Sequence, residues 1–170
     1  PQSQMNADHF SSDTLDFLRC LYKHEVRNLI VGGEAVIYYG HPRLTGDIDF
    51  YYERSPINCD RLYNALLEFW DQDIPGIDAA ADLEEPGAIF QFGVPPNRID
   101  LINQIDGVSF QQAWDSREIT RLEDPKSPII VNIIGLDQLI KNKESIKRYK
   151  DLEDLKYLQE AQKNRKKSDS

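Results

Sequence analysis

The chain has 170 residues, of which 40% are hydrophobic and 29% are charged, and its formal net charge is −9. This length suits one domain with a sizeable apolar core, which we place over residues 12–160. No apolar run reaches the roughly 18 residues that a membrane-spanning helix needs, so the sequence predicts no such helix.

The chain begins with the polar residues 1–11, which we expect to be disordered and which lack the basic and apolar segments of a secretory signal. A helix follows, and Ser12 or Asp13 is its candidate N-cap. The side chains predicted to lie on its inner face are Leu15, Leu18, Leu21 and Tyr22.

The next stretch, residues 29–33, organises the rest of the chain. Leu29 to Val31 have the apolar character of a buried strand, and Gly32 and Gly33 end it in a turn. Because glycine has no Cβ, the backbone of this turn can approach a ligand closely, and a phosphate is the natural candidate. Residues 34–39 then form a helix that stops at Gly40-His41-Pro42.

A second strand is predicted over residues 47–52, and it carries two carboxylates. Alternation along a strand places Asp47 and Asp49 on one face, roughly 6 to 7 Å apart, and apolar side chains on the other. Two like charges at this separation repel unless a cation neutralises them, and Mg²⁺ prefers oxygen ligands of this kind. The simpler alternative is a solvated strand face; the glycine turn about fifteen residues upstream favours a metal and phosphate site.

Residues 53–103 are predicted to contain a helix, a long loop and a hairpin. The helix covers residues 58–70, and the acidic segment 71–87 forms the loop, with at most one helical turn. Residues 88–93 and 98–103 are extended runs joined by a turn that contains two prolines. Asp100 lies between apolar neighbours in the second run, so we assign it as a third carboxylate; the alternative is an exposed aspartate on an edge strand.

The remaining elements are a short amphipathic helix, two strands and two helices. The short helix covers residues 108–115, and the strands cover residues 119–122 and 129–133, the second of them buried. The helix that opens at Gly135 is predicted to direct Lys141 and Lys143 outward. The last helix is predicted to bury Leu152, Leu155 and Leu158, and residues 163–170 are expected to be disordered.

Cysteines and histidines show no spacing that indicates a metal site. Cys20 and Cys59 each fall within a helical pattern, which favours buried free thiols in a reducing cytoplasm over a disulfide framework. His9, His24 and His41 are scattered, and we interpret them as surface or turn residues.

Charge is unevenly distributed along the chain. Residues 141–170 hold ten of the 20 basic residues and only six of the 29 acids. The acidic remainder argues against a wide basic surface for a long duplex, whereas a local basic wall beside an acidic metal site suits a triphosphate.

The glycine pair followed by Pro42-Arg43-Leu44-Thr45-Gly46-Asp47-Ile48-Asp49 resembles the signature of the polymerase-β-like nucleotidyltransferase superfamily. Within that superfamily it is most similar to the small abortive-infection and toxin-antitoxin nucleotidyltransferases. The resemblance is strongest over residues 30–53 and continues more weakly to about residue 158. It implies an α+β fold in which helices flank a small mixed central sheet, with a helical element at the C-terminus.

The same resemblance implies roles for individual residues. Asp47, Asp49 and Asp100 would bind metal, and the glycine turn with Thr45 would hold nucleotide phosphates. Many members have Ser after the first glycine, whereas this chain has Gly33 and offers only backbone N–H groups there. A basic element followed by Lys-Asp-x-x-Asp matches the toxin-like enzymes and implies a nucleotide-binding set of Lys143, Arg148, Lys150 and Asp154, with Asp151 beside it. The alternative for Asp151 and Asp154 is ordinary helix capping.

These observations predict a nucleotidyltransferase that uses two Mg²⁺ or Mn²⁺ ions to move a nucleoside monophosphate from an NTP to an acceptor hydroxyl. The second hypothesis is a nucleotide-binding or protein-binding regulatory module without turnover. P-loop and dinucleotide-binding glycine motifs are absent from the sequence. The acceptor stays open among an RNA end, a protein hydroxyl and a small molecule, and an antitoxin-like protein partner is implied by the resemblance alone.

Overall fold

The computed structural model describes residues 5–170, and in this range a six-stranded mixed sheet is flanked by six helices. The strands are β1 (Asn28–Val31), β2 (Asp47–Tyr52), β3 (Ile89–Phe92), β4 (Arg98–Ile102), β5 (Glu118–Leu122) and β6 (Ile129–Ile133). The helices are α1 (Ser12–Lys23), α2 (Gly32–Tyr38), α3 (Pro56–Phe69), α4 (Phe110–Asp115), α5 (Leu136–Ile146) and α6 (Tyr149–Ser168). Short 3-10 helices cover Ala7–His9 and Ala80–Glu84, the second of them within the predicted loop.

The strands lie in the order β3-β4-β2-β1-β6-β5. β2 is antiparallel to β1 and parallel to β4, while β3 and β4 form the predicted hairpin. The register pairs Val31 with Asp49 and Asp49 with Asp100, so the end of β1 and the two acidic strands meet at one place. The predicted mixed sheet with flanking helices is confirmed.

The core is built on the side of β2 that its apolar residues occupy. Phe50 and Tyr52 are fully buried there, and Phe17 of α1 contacts Phe50 with ring centroids 5.2 Å apart. The Tyr52 hydroxyl donates to the carbonyl of Leu83, which ties the loop before β3 to the sheet. This packing fixes β2 and therefore the direction of its acidic side chains.

The inner face of α1 differs from the prediction. Its N-cap is Ser11, whose hydroxyl accepts a hydrogen bond from the backbone N–H of Thr14, so the predicted caps Ser12 and Asp13 were wrong. Tyr22 is 51% exposed and does not belong to the inner face. The buried positions instead follow the helical spacing i, i+3, i+4 and i+7, namely Thr14, Phe17, Leu18 and Leu21.

The last two helices also pack differently from the prediction. Lys143, expected to point outward from α5, is buried, and Leu152 of α6 is 53% exposed. The buried face of α6 consists of Asp151, Asp154, Leu155 and Leu158. Hydrophobicity predicted a leucine stripe, whereas the helical spacing includes two carboxylates that pair with Lys143 inside the protein.

The chain ends also differ in part from expectation. Residues 163–168 continue α6, so the prediction of disorder for residues 163–170 was wrong over that part. Residues 1–4 of the predicted N-terminal tail lie outside the described residues. Cys20 and Cys59 are free thiols, as predicted, but only Cys59 is buried and Cys20 is partly exposed. Within the described range, none of the helices has both the length and the apolar character needed to cross a bilayer.

Candidate metal and phosphate site

Three carboxylates meet on one face of the sheet. Asp47 and Asp49 project from the same face of β2, and Asp100 lies beside Asp49 on the neighbouring strand β4. One oxygen from each of the three lies within 4.8 Å of the others. Asp100 is only 6% exposed, so the group is set into the protein rather than spread over its surface. The predicted grouping of these three residues is found, and its all-oxygen donor set could hold a hard divalent cation.

Gly32 makes this arrangement possible. Its φ of +63° lies in the left-handed region, and a Cβ built at this position would overlap Oδ2 of Asp49. The glycine therefore allows the chain to turn out of β1 and allows the Asp49 carboxylate to rest against the backbone. Its first role is thus to seat one carboxylate of the acidic group, in addition to the predicted close approach of a ligand.

Two polar side chains cover Gly33. A Cβ at this position would lie 2.8 Å from Nη2 of Arg43 and 2.8 Å from Oγ1 of Thr45. The Thr45 hydroxyl lies 3.1 Å from the backbone carbonyl of Asp47 and 3.2 Å from its Oδ1, which links the glycine turn to the acidic group. The structure thus brings Thr45 to the turn as expected. It adds Arg43, which the sequence analysis cited as part of a motif but gave no role.

Asp49 has an unfavourable environment for a negative charge. Burial, together with the nearby charges of Asp47 and Asp100, raises the pKa of Asp49 to about 7. The positive charges of Arg98 and Lys143 act in the opposite direction without overcoming these effects. A bound cation would stabilise the ionised form of Asp49, as is expected of a metal ligand in the metal-free state of a protein.

Arg98, at the start of β4, lies across two of the three carboxylates. Its Nη2 donates to Oδ2 of Asp47 at 2.7 Å, and its Nε donates to Oδ1 of Asp100 at 2.9 Å. Hydrogen bonding to Asp100 is the main reason that the pKa of Arg98 rises above its ordinary value. The sequence predicted Arg98 only as a strand residue, although a basic residue two positions before an acid on one strand faces the same way.

A basic network around two buried aspartates adjoins Arg43. The Arg43 guanidinium donates from Nη1 to both oxygens of Asp154, at 3.0 and 3.1 Å. Lys143 lies between Asp154 and Asp151, with Nζ 3.1 Å and 2.9 Å from their respective oxygens. Arg148, whose side chain is 57% exposed, completes the network from the surface by donating from Nε to Asp151 at 2.8 Å. Lys150 is exposed and lies outside this network.

The network rules out the capping alternative for its two acids. Helix α6 begins after Arg148, and this N-cap makes no side-chain capping hydrogen bond. Both Asp151 and Asp154 are fully buried and bind cationic side chains instead. Burial acts to raise the pKa of Asp151, but hydrogen bonds from Lys143 and Arg148 outweigh it and lower that pKa below its ordinary value.

His41 belongs to the same network, which corrects its interpretation as a surface or turn residue. It is 6% exposed, and its ring stacks on Tyr157 with centroids 3.9 Å apart. Its Nδ1 lies 3.2 Å from Oδ1 of Asp154, an ion-pair distance without the geometry of a hydrogen bond. His41 therefore helps to enclose Asp154, which also binds Arg43. His9 and His24 are more exposed and pair with glutamates.

Comparisons with known proteins do not assign a family. No protein-family model matches the chain, and no curated protein matches it. The geometry of the site therefore carries the functional argument.

Proposed function

We propose that the protein is a metal-dependent nucleotidyltransferase, which moves a nucleoside monophosphate from an NTP to an acceptor hydroxyl. The observation that carries this proposal is the meeting of Asp47, Asp49 and Asp100 beside a glycine turn that Arg43 covers. An acidic group alone suits many functions, and an arginine over a glycine turn suits any anion. Their adjacency favours a substrate that brings a metal ion and phosphates together.

The three carboxylates would hold Mg²⁺ or Mn²⁺, and the hypothesis of two ions follows from the resemblance to the superfamily. Such ions lower the pKa of an acceptor hydroxyl and neutralise charge on the transferring phosphoryl group. In the reaction, the acceptor oxygen bonds to the α-phosphorus and the bond between that phosphorus and the α–β bridging oxygen breaks. Pyrophosphate leaves with the bonding electron pair, and the hydroxyl proton is released to solvent.

The phosphate side of the site would be formed by the turn and the basic network. Backbone N–H groups of Gly32 and Gly33 would bind phosphate oxygens together with the guanidinium of Arg43 and the hydroxyl of Thr45. The network holds three cations, Arg43, Lys143 and Arg148, against two aspartates. This excess of positive charge would stabilise the leaving pyrophosphate, and exposed Lys150 would add to it.

Asp154 takes a different role from the one first expected. A fully buried carboxylate that already binds Arg43 and Lys143 is poorly placed to touch a nucleotide. We therefore assign Asp154 as a positioning residue, which holds the Arg43 guanidinium against the glycine turn. Lys143 is likewise buried, so its contribution to phosphate binding is its charge and its hold on both aspartates.

The second candidate function is a regulatory module that binds a nucleotide or a protein without turnover. One observation favours it: Arg98 already provides a positive charge to Asp47 and Asp100. Calorimetric titration with Mg²⁺ and NTP beside a pyrophosphate-release assay separates the two functions, since a regulator binds nucleotide and releases no pyrophosphate.

A label-transfer assay tests the enzymatic proposal. The protein would be incubated with Mn²⁺ or Mg²⁺, each α-labelled NTP in turn, and pools of RNA, protein or small hydroxyl compounds. We expect transfer by the wild type and by the control Asp60→Ala, an exposed acid on α3, but not by Asp47→Ala. Equal transfer by Asp47→Ala would refute the assigned site. Nucleotide binding without transfer to any pool would favour the regulatory module.

A further inference from the structure

Arg98 and its neighbours occupy every carboxylate oxygen of Asp47 and Asp100. For Asp100, Oδ1 accepts from Nε of Arg98 at 2.9 Å, and Oδ2 accepts from Nη2 of Arg98 at 3.1 Å and from Gln91 at 3.2 Å. For Asp47, Oδ2 accepts from Arg98 at 2.7 Å, and Oδ1 lies 3.2 Å from the Thr45 hydroxyl. Each oxygen of these two acids thus already has at least one polar partner within the protein itself.

A divalent ion at this place would compete with the guanidinium. Metal ligation uses the same oxygen lone pairs at distances of about 2.0 to 2.6 Å, shorter than the hydrogen bonds they would replace. An ion at that distance from both carboxylates would also lie within a few ångströms of the Arg98 charge, where like charges repel strongly. The ion and the guanidinium therefore exclude each other from these ligands.

The position of Arg98 allows it to leave without a change in the fold. It is the first residue of β4, directly after the hairpin turn, and its side chain is 29% exposed. Its backbone is held in the sheet by the pairing of Arg98 with Asp47. Rotation of the side chain alone can carry the guanidinium from the carboxylates into solvent.

We propose that Arg98 is an internal cation that closes the acidic site, so that a divalent ion binds Asp47 and Asp100 only by displacing the Arg98 guanidinium. This inference rests on the proposed function, because it takes the three aspartates as the metal ligands. In addition to the three aspartates, the affinity for metal then depends on a fourth residue, Arg98. Displacement weakens binding of the free ion, and the released guanidinium stays at the edge of the site.

The test is a titration of nucleotide-free protein with Mn²⁺, in which electron paramagnetic resonance measures the concentration of the unbound ion. Two variants of Arg98 separate occupancy from charge. Arg98→Gln removes both the charge and the fork of donors, whereas Arg98→Lys keeps the charge and loses the fork that spans two carboxylates. Arg121→Gln is the matched control, since Arg121 is an exposed arginine on β5 that pairs with Glu123.

Displacement predicts that both Arg98 variants bind Mn²⁺ more tightly than the wild type. Because charge-assisted hydrogen bonds to a bidentate arginine are lost on binding, we expect a gain of about 10- to 100-fold for Arg98→Gln. A smaller gain in the same direction is expected for Arg98→Lys, and none for Arg121→Gln. Circular dichroism and thermal denaturation would establish that each variant is folded. If Arg98→Gln does not fold, the charge-retaining Arg98→Lys variant provides the result.

Other outcomes overturn the inference. Unchanged or weaker Mn²⁺ binding in Arg98→Gln would show that the arginine does not compete with the ion. A gain in Arg98→Gln with wild-type affinity in Arg98→Lys would show that charge alone is responsible and that occupancy plays no part. Asp49→Ala identifies the site: if it binds Mn²⁺ as tightly as the wild type, the ion lies elsewhere, and the proposed metal centre fails together with the inference.

Discussion

Replacing Asp49 with asparagine should stabilise the metal-free protein, and increasingly so as the pH rises. The pKa of Asp49 is about 7 in the folded protein and 3.8 in its ordinary state. Between these values the folded chain binds a proton that the unfolded chain releases, so the free energy of unfolding falls as the pH rises through this window. Asparagine resembles the protonated acid in shape and stays neutral at every pH, so the variant avoids this loss.

The magnitude follows from the size of the shift. With a pKa of about 7, Asp49 loses its proton in the folded protein between about pH 5 and about pH 8. Over this range the free energy of unfolding falls by roughly 2 to 3 kcal/mol. All other titratable groups are common to both proteins. Their contribution cancels when the variant is compared with the wild type at each pH.

Urea denaturation in the presence of a chelator measures the effect at both pH values. We expect the advantage of Asp49→Asn over the wild type to grow by roughly 2 to 3 kcal/mol from about pH 5 to about pH 8. Saturating Mg²⁺ should then stabilise the wild type and leave the variant nearly unchanged, because the ion removes the repulsion that asparagine avoids. A difference that is the same at both pH values would refute the crowding of charge inferred for this site.

Two further substitutions test the glycine turn and the buried network. Gly32→Ala should abolish Mn²⁺ binding, because the added Cβ would displace the Asp49 carboxylate. Gly40→Ala is the control: its φ is +103° with open space around it, so this variant should lose stability and keep its metal binding. Equal losses of Mn²⁺ affinity in the two variants, measured by calorimetry, would contradict this prediction. Lys143→Met should cost about 1 to 3 kcal/mol of stability, because Asp151 and Asp154 lose the buried cationic partner that they share and keep only Arg148 and Arg43, which are partly exposed. Lys141→Met, at an exposed position of the same helix, should change stability by less than about 0.5 kcal/mol; similar urea midpoints for these two variants would show that the buried network is not needed for stability.

The acidic part of the site was predictable only in part from short-range patterns. Alternation along one strand placed Asp47 and Asp49 on one face. The hairpin signal placed Asp100 on a strand, but that strand lies beside β2 through a long-range parallel pairing that no local pattern indicates. The glycine pair marked the turn beside them, although its contact with Asp49 depends on the pairing of β1 with β2. The predicted fold class was confirmed, since strands and helices leave periodic signals in the sequence.

For the basic part, the resemblance supplied the residues Lys143, Arg148, Lys150 and Asp154 but not the way in which they pair. Arg43 and Asp154 are 111 positions apart, and no local pattern indicates that they pair. Helical spacing predicts equally well that Asp151 faces water or protein, because the outcome depends on whether a cation lies opposite it. Lys143 provides that cation only after α5 and α6 have packed together. Pairing of buried charges is thus a consequence of tertiary structure, whereas the positions of the apolar residues follow largely from local spacing.

The two charged groups have opposite needs that one ligand can meet. The three aspartates repel one another without a cation, as the raised pKa of Asp49 reflects, and the network around Arg43 holds more positive than negative charge. A metal ion alone would relieve the first group while adding positive charge beside the second, and a phosphate alone would do the reverse. A metal-bound triphosphate relieves both at once, so the affinities for metal and nucleotide should increase each other by the same factor. This reciprocity is the result expected if, as we propose, the protein binds a nucleotide–metal complex rather than either component by itself.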